Sequence, residues 1–99
     1  MFTMTDLEPY FGKASMKVND IEFKLVKEEE MSGELAVWSS KDYLVRATPN
    51  FDNVPIPVEI VDYDWNVIGD DSYYGEVNSF EQYAEVVQIV TKKILASLV

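Results

Sequence analysis

The chain has 99 residues, which is enough for one domain and too short for two ordinary hydrophobic cores. Its hydrophobic content of 47% supports a folded core, whereas its net charge of −10 argues against direct binding to nucleic acid or anionic lipid. Because cysteine and histidine are both absent, a disulfide framework and the Ser-His-Asp or Cys-His catalytic arrangements are excluded. We expect a single acidic α+β domain over residues 1–99.

The N-terminus and the apolar runs predict a cytoplasmic protein. The first ten residues, MFTMTDLEPY, lack the basic segment and the apolar run of a signal peptide. The longest apolar runs, AEVVQIV and ILASLV, are far shorter than the roughly 20 residues that a helix needs to cross a bilayer. No association with a membrane is therefore expected.

The first half of the chain is predicted to hold a short helix and two hairpins. Thr5 precedes a glutamate by three residues, which is the spacing of a capping box and predicts a helix over residues 6–11. Alternating hydrophobic residues then predict two hairpins, with turns at residues 19–20 and 40–42. The acidic run Glu28–Glu30 is expected in a solvated turn between them.

The second half is predicted to hold one strand and a long helix. Residues 56–65 have the pattern of a strand, and Pro57 near its start indicates an edge position. Loops are predicted over residues 48–55 and 68–76. From Ser79 the hydrophobic period becomes about 3.6, which predicts a C-terminal helix. Its apolar face comprises Phe80, Tyr83, Ala84, Val87, Val90, Ile94 and Leu98. The expected fold is an antiparallel sheet of four or five strands packed by this helix.

The distribution of charge is the most distinctive property of the sequence. Residues 50–99 contain nine acidic residues and two lysines, and no basic residue lies between Arg46 and Lys92. An ordinary soluble surface mixes both signs, so this segregation indicates a recognition surface. The alternative interpretation is an acidic surface that only keeps the protein soluble.

Acidic and aromatic residues alternate over residues 61–77, VDYDWNVIGDDSYYGEV. On a strand, Asp62, Asp64 and Asn66 would share one face at intervals of roughly 6.6 Å, broadly the spacing of successive phosphates. The acidic residues that follow, Asp70, Asp71 and Glu76, would extend such a row. Tyr63 and Trp65 would point to the other face, where the simpler interpretation places them in the core.

The same carboxylates have two other possible uses, as a metal site or as a catalytic pair. Asp62, Asp64 and Asn66 match the first three ligand positions of an EF-hand loop, but Val67 replaces its glycine and Tyr73 its glutamate. A pair of carboxylates can hydrolyse glycosides, yet a domain of this size rarely supplies the cleft. We assign no metal, cofactor or catalytic residue and keep calcium binding as a less favoured alternative.

The resulting hypothesis is a non-enzymatic protein-binding inhibitor that occupies a basic, nucleic-acid-binding surface of a target protein. In size and charge it parallels the small acidic inhibitors that phages and mobile elements direct against host defence nucleases. The alternative is an assembly subunit that forms a homodimer through residues 56–62 or through the C-terminal helix. The predicted contact residues are Asp62, Asp64, Trp65, Asp70, Asp71, Tyr73, Tyr74 and Glu76.

Overall fold

Six antiparallel strands form one curled sheet in which each strand pairs with the next along the chain. The computed structural model describes residues 2–31, 33–49 and 55–98. Its helices are α1 (Met4–Leu7), followed by a 3-10 turn (Glu8–Tyr10), and α2 (Phe80–Ala96). Its strands are β1 (Ser15–Val18), β2 (Ile21–Glu30), β3 (Gly33–Ser39), β4 (Tyr43–Arg46), β5 (Ile56–Asp62) and β6 (Val67–Tyr73). The α+β prediction is confirmed, although the strands of the described residues number six rather than four or five.

The additional strand is β6, which covers most of the segment that was predicted to be a loop. Gly69, Asp70 and Asp71 have low strand propensity, so the local sequence does not predict a strand. Pairing with β5 overrides that propensity and places Asp70 opposite Glu59 and Asp71 opposite Val58. The strand predicted over residues 56–65 is correspondingly too long, because β5 ends at Asp62.

The prediction that β5 is an edge strand is wrong. β5 lies between β4 and β6, and the register with β4 covers only Glu59–Asp62. Pro57 lies beyond that register, where its missing N–H removes no bond to β4. Residues 59–62 are paired with β4, so a homodimer through residues 56–62 would not have the whole segment as a free edge.

Of the other local predictions, the first hairpin turn and the N-terminal helix hold with small shifts, whereas the turn predicted at Glu28–Glu30 is wrong. Asn19 and Asp20 have φ angles of 49° and 67°, as a two-residue hairpin turn with a left-handed backbone requires. Glu28–Glu30 continue β2 instead of forming the turn. α1 begins two residues early, because the backbone N–H of Thr3 donates to the carboxylate of Asp6 at 2.8 Å. The loop predicted over residues 48–55 follows β4 as expected, but its residues 50–54 lie outside the part of the chain that the structure describes.

Helix α2 confirms the predicted period and cap. The hydroxyl of Ser79 accepts the backbone N–H of Gln82 at 3.2 Å, while the Gln82 side chain accepts from Asn78 rather than from Ser79. The face of α2 that contains Tyr83 and Ile94 is buried, whereas Leu98 lies beyond the end of the helix and is exposed.

The apolar face of α2 fills the concave side of the sheet and reaches both of its ends. The helix contacts β1, β5 and β6, the first strand and the last two. At β1 the side-chain amide of Gln88 donates to the carbonyl of Lys17 at 2.9 Å. At β6 the ammonium of Lys93 lies 3.0 Å from the carboxylate of Asp71. One helix therefore connects the two ends of the curled sheet.

The centre of the core contains a pair of buried aromatic side chains with satisfied polar groups. The indole N–H of Trp38 donates to the hydroxyl of Tyr83 at 3.2 Å, and that hydroxyl donates to the carbonyl of Ala47 at 2.5 Å. Burial raises the pKa of Tyr83, so the phenol stays protonated and remains a donor. In the described residues, no helix has the length and apolar character needed to cross a bilayer.

Gly69 is required by the contact between β6 and α2. A Cβ added at this position would lie 2.5 Å from Cγ2 of Ile94, a buried residue of α2. We expect Gly69→Ala to lower the free energy of unfolding by about 1–3 kcal/mol in urea denaturation, because it overpacks this contact. In a double-mutant cycle with Ile94→Ala, the two losses should be less than additive. Additive losses would show that the two positions do not meet.

Candidate functional site

The loop between β5 and β6 is a tight turn held by the side chain of Asp62. Its carboxylate accepts the backbone N–H groups of Asp64 and Asn66, both at 2.9 Å, and the side-chain amide of Asn66 at 3.2 Å. These hydrogen bonds, above all those from Asn66, hold the pKa of Asp62 below its ordinary value. Asp62 therefore shapes the turn, and both of its carboxylate oxygens accept hydrogen bonds within the turn.

This turn overturns the predicted row of carboxylates. Asp62 ends β5 and Asp64 lies in the turn, so Asp62, Asp64 and Asn66 do not line one face of a strand. The expectation that Tyr63 and Trp65 lie in the core is also wrong, since they are 53% and 65% exposed. We call residues 63–67 the hairpin tip; it presents Tyr63, Trp65 and Val67 to solvent.

Trp65 has an unusual backbone conformation for a large side chain. Its φ angle is 66°, in the left-handed region that glycine and asparagine tolerate best. The backbone N–H of Trp65 donates to the carbonyl of Asp62 at 3.2 Å, which fixes it within the turn. The turn thus displays an exposed indole at some cost in backbone energy.

Asp70 and Asp71 project from opposite faces of β6. Asp71 faces α2, and the hydrogen bond from Lys93 holds the pKa of the Asp71 carboxyl below its ordinary value, with a further contribution from the backbone N–H of Ser72. Asp70 is exposed on the convex face, directly opposite Glu59. Glu59 is paired with Arg46 at 2.9 Å, which reduces the repulsion between the two opposed acids.

A cleft lies between α2 and the end of β6. It has a volume of about 200 Å³ and is lined by Tyr73, Glu76, Gln82, Glu85, Val86, Ile89 and Val90. Glu85 and Ile89, which the sequence prediction did not include, are one helical turn apart on α2 and so lie on the same side of the helix. The sequence shows that these two residues share one side of the helix. It does not show that the end of β6 lies beside them and completes a cleft.

The eight predicted contact residues are therefore divided among several places. Asp64 and Trp65 belong to the hairpin tip, and Asp62 ends β5 directly before it. Asp70 lies on the convex face beside a shallow hollow that Tyr74 also lines. Tyr73 and Glu76 line the cleft. Asp71 is engaged between sheet and helix. The acidic residues of the strand and of the following segment do not form one continuous row.

Several carboxylates nevertheless remain unpaired. In the described ranges, no lysine or arginine lies within ion-pair distance of five exposed acidic residues: Asp64, Asp70, Glu76, Glu81 and Glu85. All five belong to the segment without basic residues. The same described residues contain no group of three or more acidic side chains arranged to hold a metal ion.

The role of Asp62 predicts a specific pH dependence. Because its pKa is lowered in the folded state, its stabilising effect is present above the unfolded-state pKa and is lost as the pH falls through the folded pKa. Asp62→Asn should lower the melting temperature at pH 7, and the difference from wild type should shrink as the pH falls below about 4, the ordinary pKa of an aspartate. Asp64→Asn is the control, and a pH-independent difference for Asp62→Asn would refute the assignment.

The strain at Trp65 predicts that this side chain is dispensable for folding. Trp65→Asn should leave the free energy of unfolding unchanged or raise it by up to about 1 kcal/mol, because asparagine tolerates the left-handed region. Trp65→Ala removes the indole but retains the strain, so it should be no more stable than Trp65→Asn. A clear loss of stability in both variants during urea unfolding would mean that the indole supports the fold.

Comparison with known proteins adds no relative to this description. No family model matches the chain, and neither the curated proteins nor the solved structures gave a match.

Proposed function

We propose that this chain is a non-enzymatic inhibitor that binds a basic surface of a target protein, one that otherwise holds nucleic acid. The observation that carries the proposal is the absence of basic residues between Arg46 and Lys92. The exposed carboxylates of this segment, which have no cationic partner among the described residues, are Asp64, Asp70, Glu76, Glu81 and Glu85. A basic target would supply the missing partners. Complementary charge of this kind steers association and selects against acidic competitors.

The energetic cost of such a surface is small. Two carboxylates separated by about 7 Å in water repel each other by roughly 0.6 kcal/mol before screening by salt. A few such pairs lower the free energy of unfolding by only a fraction of the 5–15 kcal/mol typical of a small domain. The fold can therefore maintain these charges, and binding to a basic surface would remove the repulsion.

The exposed aromatic residues support a protein target. Trp65 is presented at the hairpin tip in spite of its unfavourable backbone conformation, and Tyr74 is 72% exposed. Tryptophan and tyrosine are the residues that most often anchor protein interfaces. In this proposal Asp62 and Asp71 support the binding surface and do not contact the target. Asp62 shapes the turn that carries Trp65, and Asp71 pairs with Lys93 and so attaches α2 to β6.

A second candidate is self-association through the hairpin tip, favoured by the exposed Tyr63, Trp65 and Val67. A tip contact between two copies is an alternative to the predicted contact through residues 56–62. Light scattering after size-exclusion chromatography distinguishes the candidates. A stable dimer that resists added salt and is lost in Trp65→Asn would favour self-association, whereas a monomer would favour the inhibitor.

The proposal is tested by affinity capture with two variants of equal charge. The test variant combines Asp64→Asn, Asp70→Asn, Glu76→Gln and Glu85→Gln. The matched control combines Asp20→Asn, Glu22→Gln, Glu29→Gln and Asp42→Asn, all exposed residues outside the segment without basic residues. Wild type and control should capture a nucleic-acid-binding protein that DNA or RNA displaces, and the test variant should bind it at least about tenfold more weakly. Equal capture by the test variant would overturn the proposal.

A further inference from the structure

The cleft beside α2 is too small for an ordinary small-molecule ligand. Its volume of about 200 Å³ is below the roughly 300–1,000 Å³ of sites that bind drug-sized molecules. It is bounded by α2 on one side and by the chain from Tyr73 to Glu76 on the other. These dimensions suit one long side chain of another protein.

The lining of the cleft combines an apolar floor with an acidic rim. Val86 and Val90 are largely buried at its base, while Ile89 remains 58% exposed at its edge. Glu76 and Glu85 also line it, and no lysine or arginine of the described chain pairs with either. A ligand that fits must have an apolar stem and a positive end.

The position of the Tyr73 ring depends on Gly75. A Cβ at Gly75 would overlap the phenol oxygen and ring of Tyr73, so only glycine allows the ring to lie against the chain here. The ring thereby becomes one wall of the cleft. An aromatic wall beside two carboxylates favours a planar cation.

We propose that this cleft binds an arginine side chain of the target protein. The guanidinium group is planar and weakly hydrated, stacks on aromatic rings and donates in a fork to carboxylates. Its methylene stem would cover Ile89 and the valines of the floor, in the way that long cationic side chains pack on apolar surface. A lysine would supply one charge but could neither stack nor form the same fork.

This inference rests on the proposed function and specifies the partner's chemistry at one site. It also identifies Glu85 and Ile89 as contact residues, which the pattern of residues 61–77 did not predict. Because the cleft is formed by the chain itself, its preference for arginine can be measured without the target.

The test is an NMR titration of the full chain with three short peptides, Gly-Arg-Gly, Gly-Lys-Gly and Gly-citrulline-Gly, each with blocked termini. Citrulline keeps the shape of arginine and removes its charge. We expect saturable amide shifts centred on residues 73–76 and 82–90, strongest for the arginine peptide and absent for the citrulline peptide. Binding should weaken about tenfold or more in Glu76→Gln/Glu85→Gln and persist in the control Asp20→Asn/Glu22→Gln.

A variant of unchanged charge tests the shape of the site. Gly75→Ala should displace the Tyr73 ring and weaken the arginine peptide, provided that circular dichroism shows an intact fold. The proposal is overturned if the arginine and citrulline peptides bind alike, if the shifts spread over all acidic surfaces, or if Glu76→Gln/Glu85→Gln binds normally. Failure of the capture experiment with a positive titration would reject the inhibitor and retain the arginine site. Successful capture with a negative titration would retain the inhibitor and reject the arginine site.

Discussion

The structure depends on the packing of one helix into a curled sheet whose two ends both reach it. Because α2 contacts β1, β5 and β6, its apolar face must match strands that are far apart in the chain. Gly69 leaves room for Ile94 at one end, and Gln88 bonds the backbone of β1 at the other. Aromatic packing fixes the start of the helix, where the rings of Tyr10 and Phe80 stack with centroids 3.7 Å apart. Both the cleft and the position of Asp71 follow from this placement.

The acidic residues divide into those that build the protein and those that remain available to a partner. Asp62 caps a turn and Asp71 pairs with α2, so their charge is used within the fold. Asp64, Asp70 and Glu85 lie on the surface without such partners. Net charge alone does not make this distinction, because a structural carboxylate and a free one contribute equally to it. The division explains why neutralising different aspartates should affect stability in one case and binding in another.

The sequence predicted the elements whose signals are local. The turn at Asn19-Asp20 and the helix from Ser79 depend on backbone preference and capping within a few residues, and both were found. β6 was missed because Gly69 and its neighbouring aspartates disfavour a strand that pairing with β5 then imposes. The alternating pattern from Asp62 to Trp65 is typical of a strand. In the structure the backbone instead turns here, because the Asp62 carboxylate accepts hydrogen bonds from Asp64 and Asn66. For the candidate site, the composition predicted an acidic surface. The cleft could not be predicted, because it depends on how α2 packs on β6.

The position of α2 after all six strands has a consequence for synthesis of the protein on the ribosome. The hairpins contain near-neighbour contacts and can form as the chain emerges, whereas the bond between Gln88 and Lys17 joins residues 71 positions apart. Until α2 is released, the concave faces of the strands, including Phe23, Trp38 and Ile60, have no helix to cover them. The nascent sheet would therefore expose apolar surface that chaperones bind, and a chain interrupted before Phe80 would be a substrate for degradation.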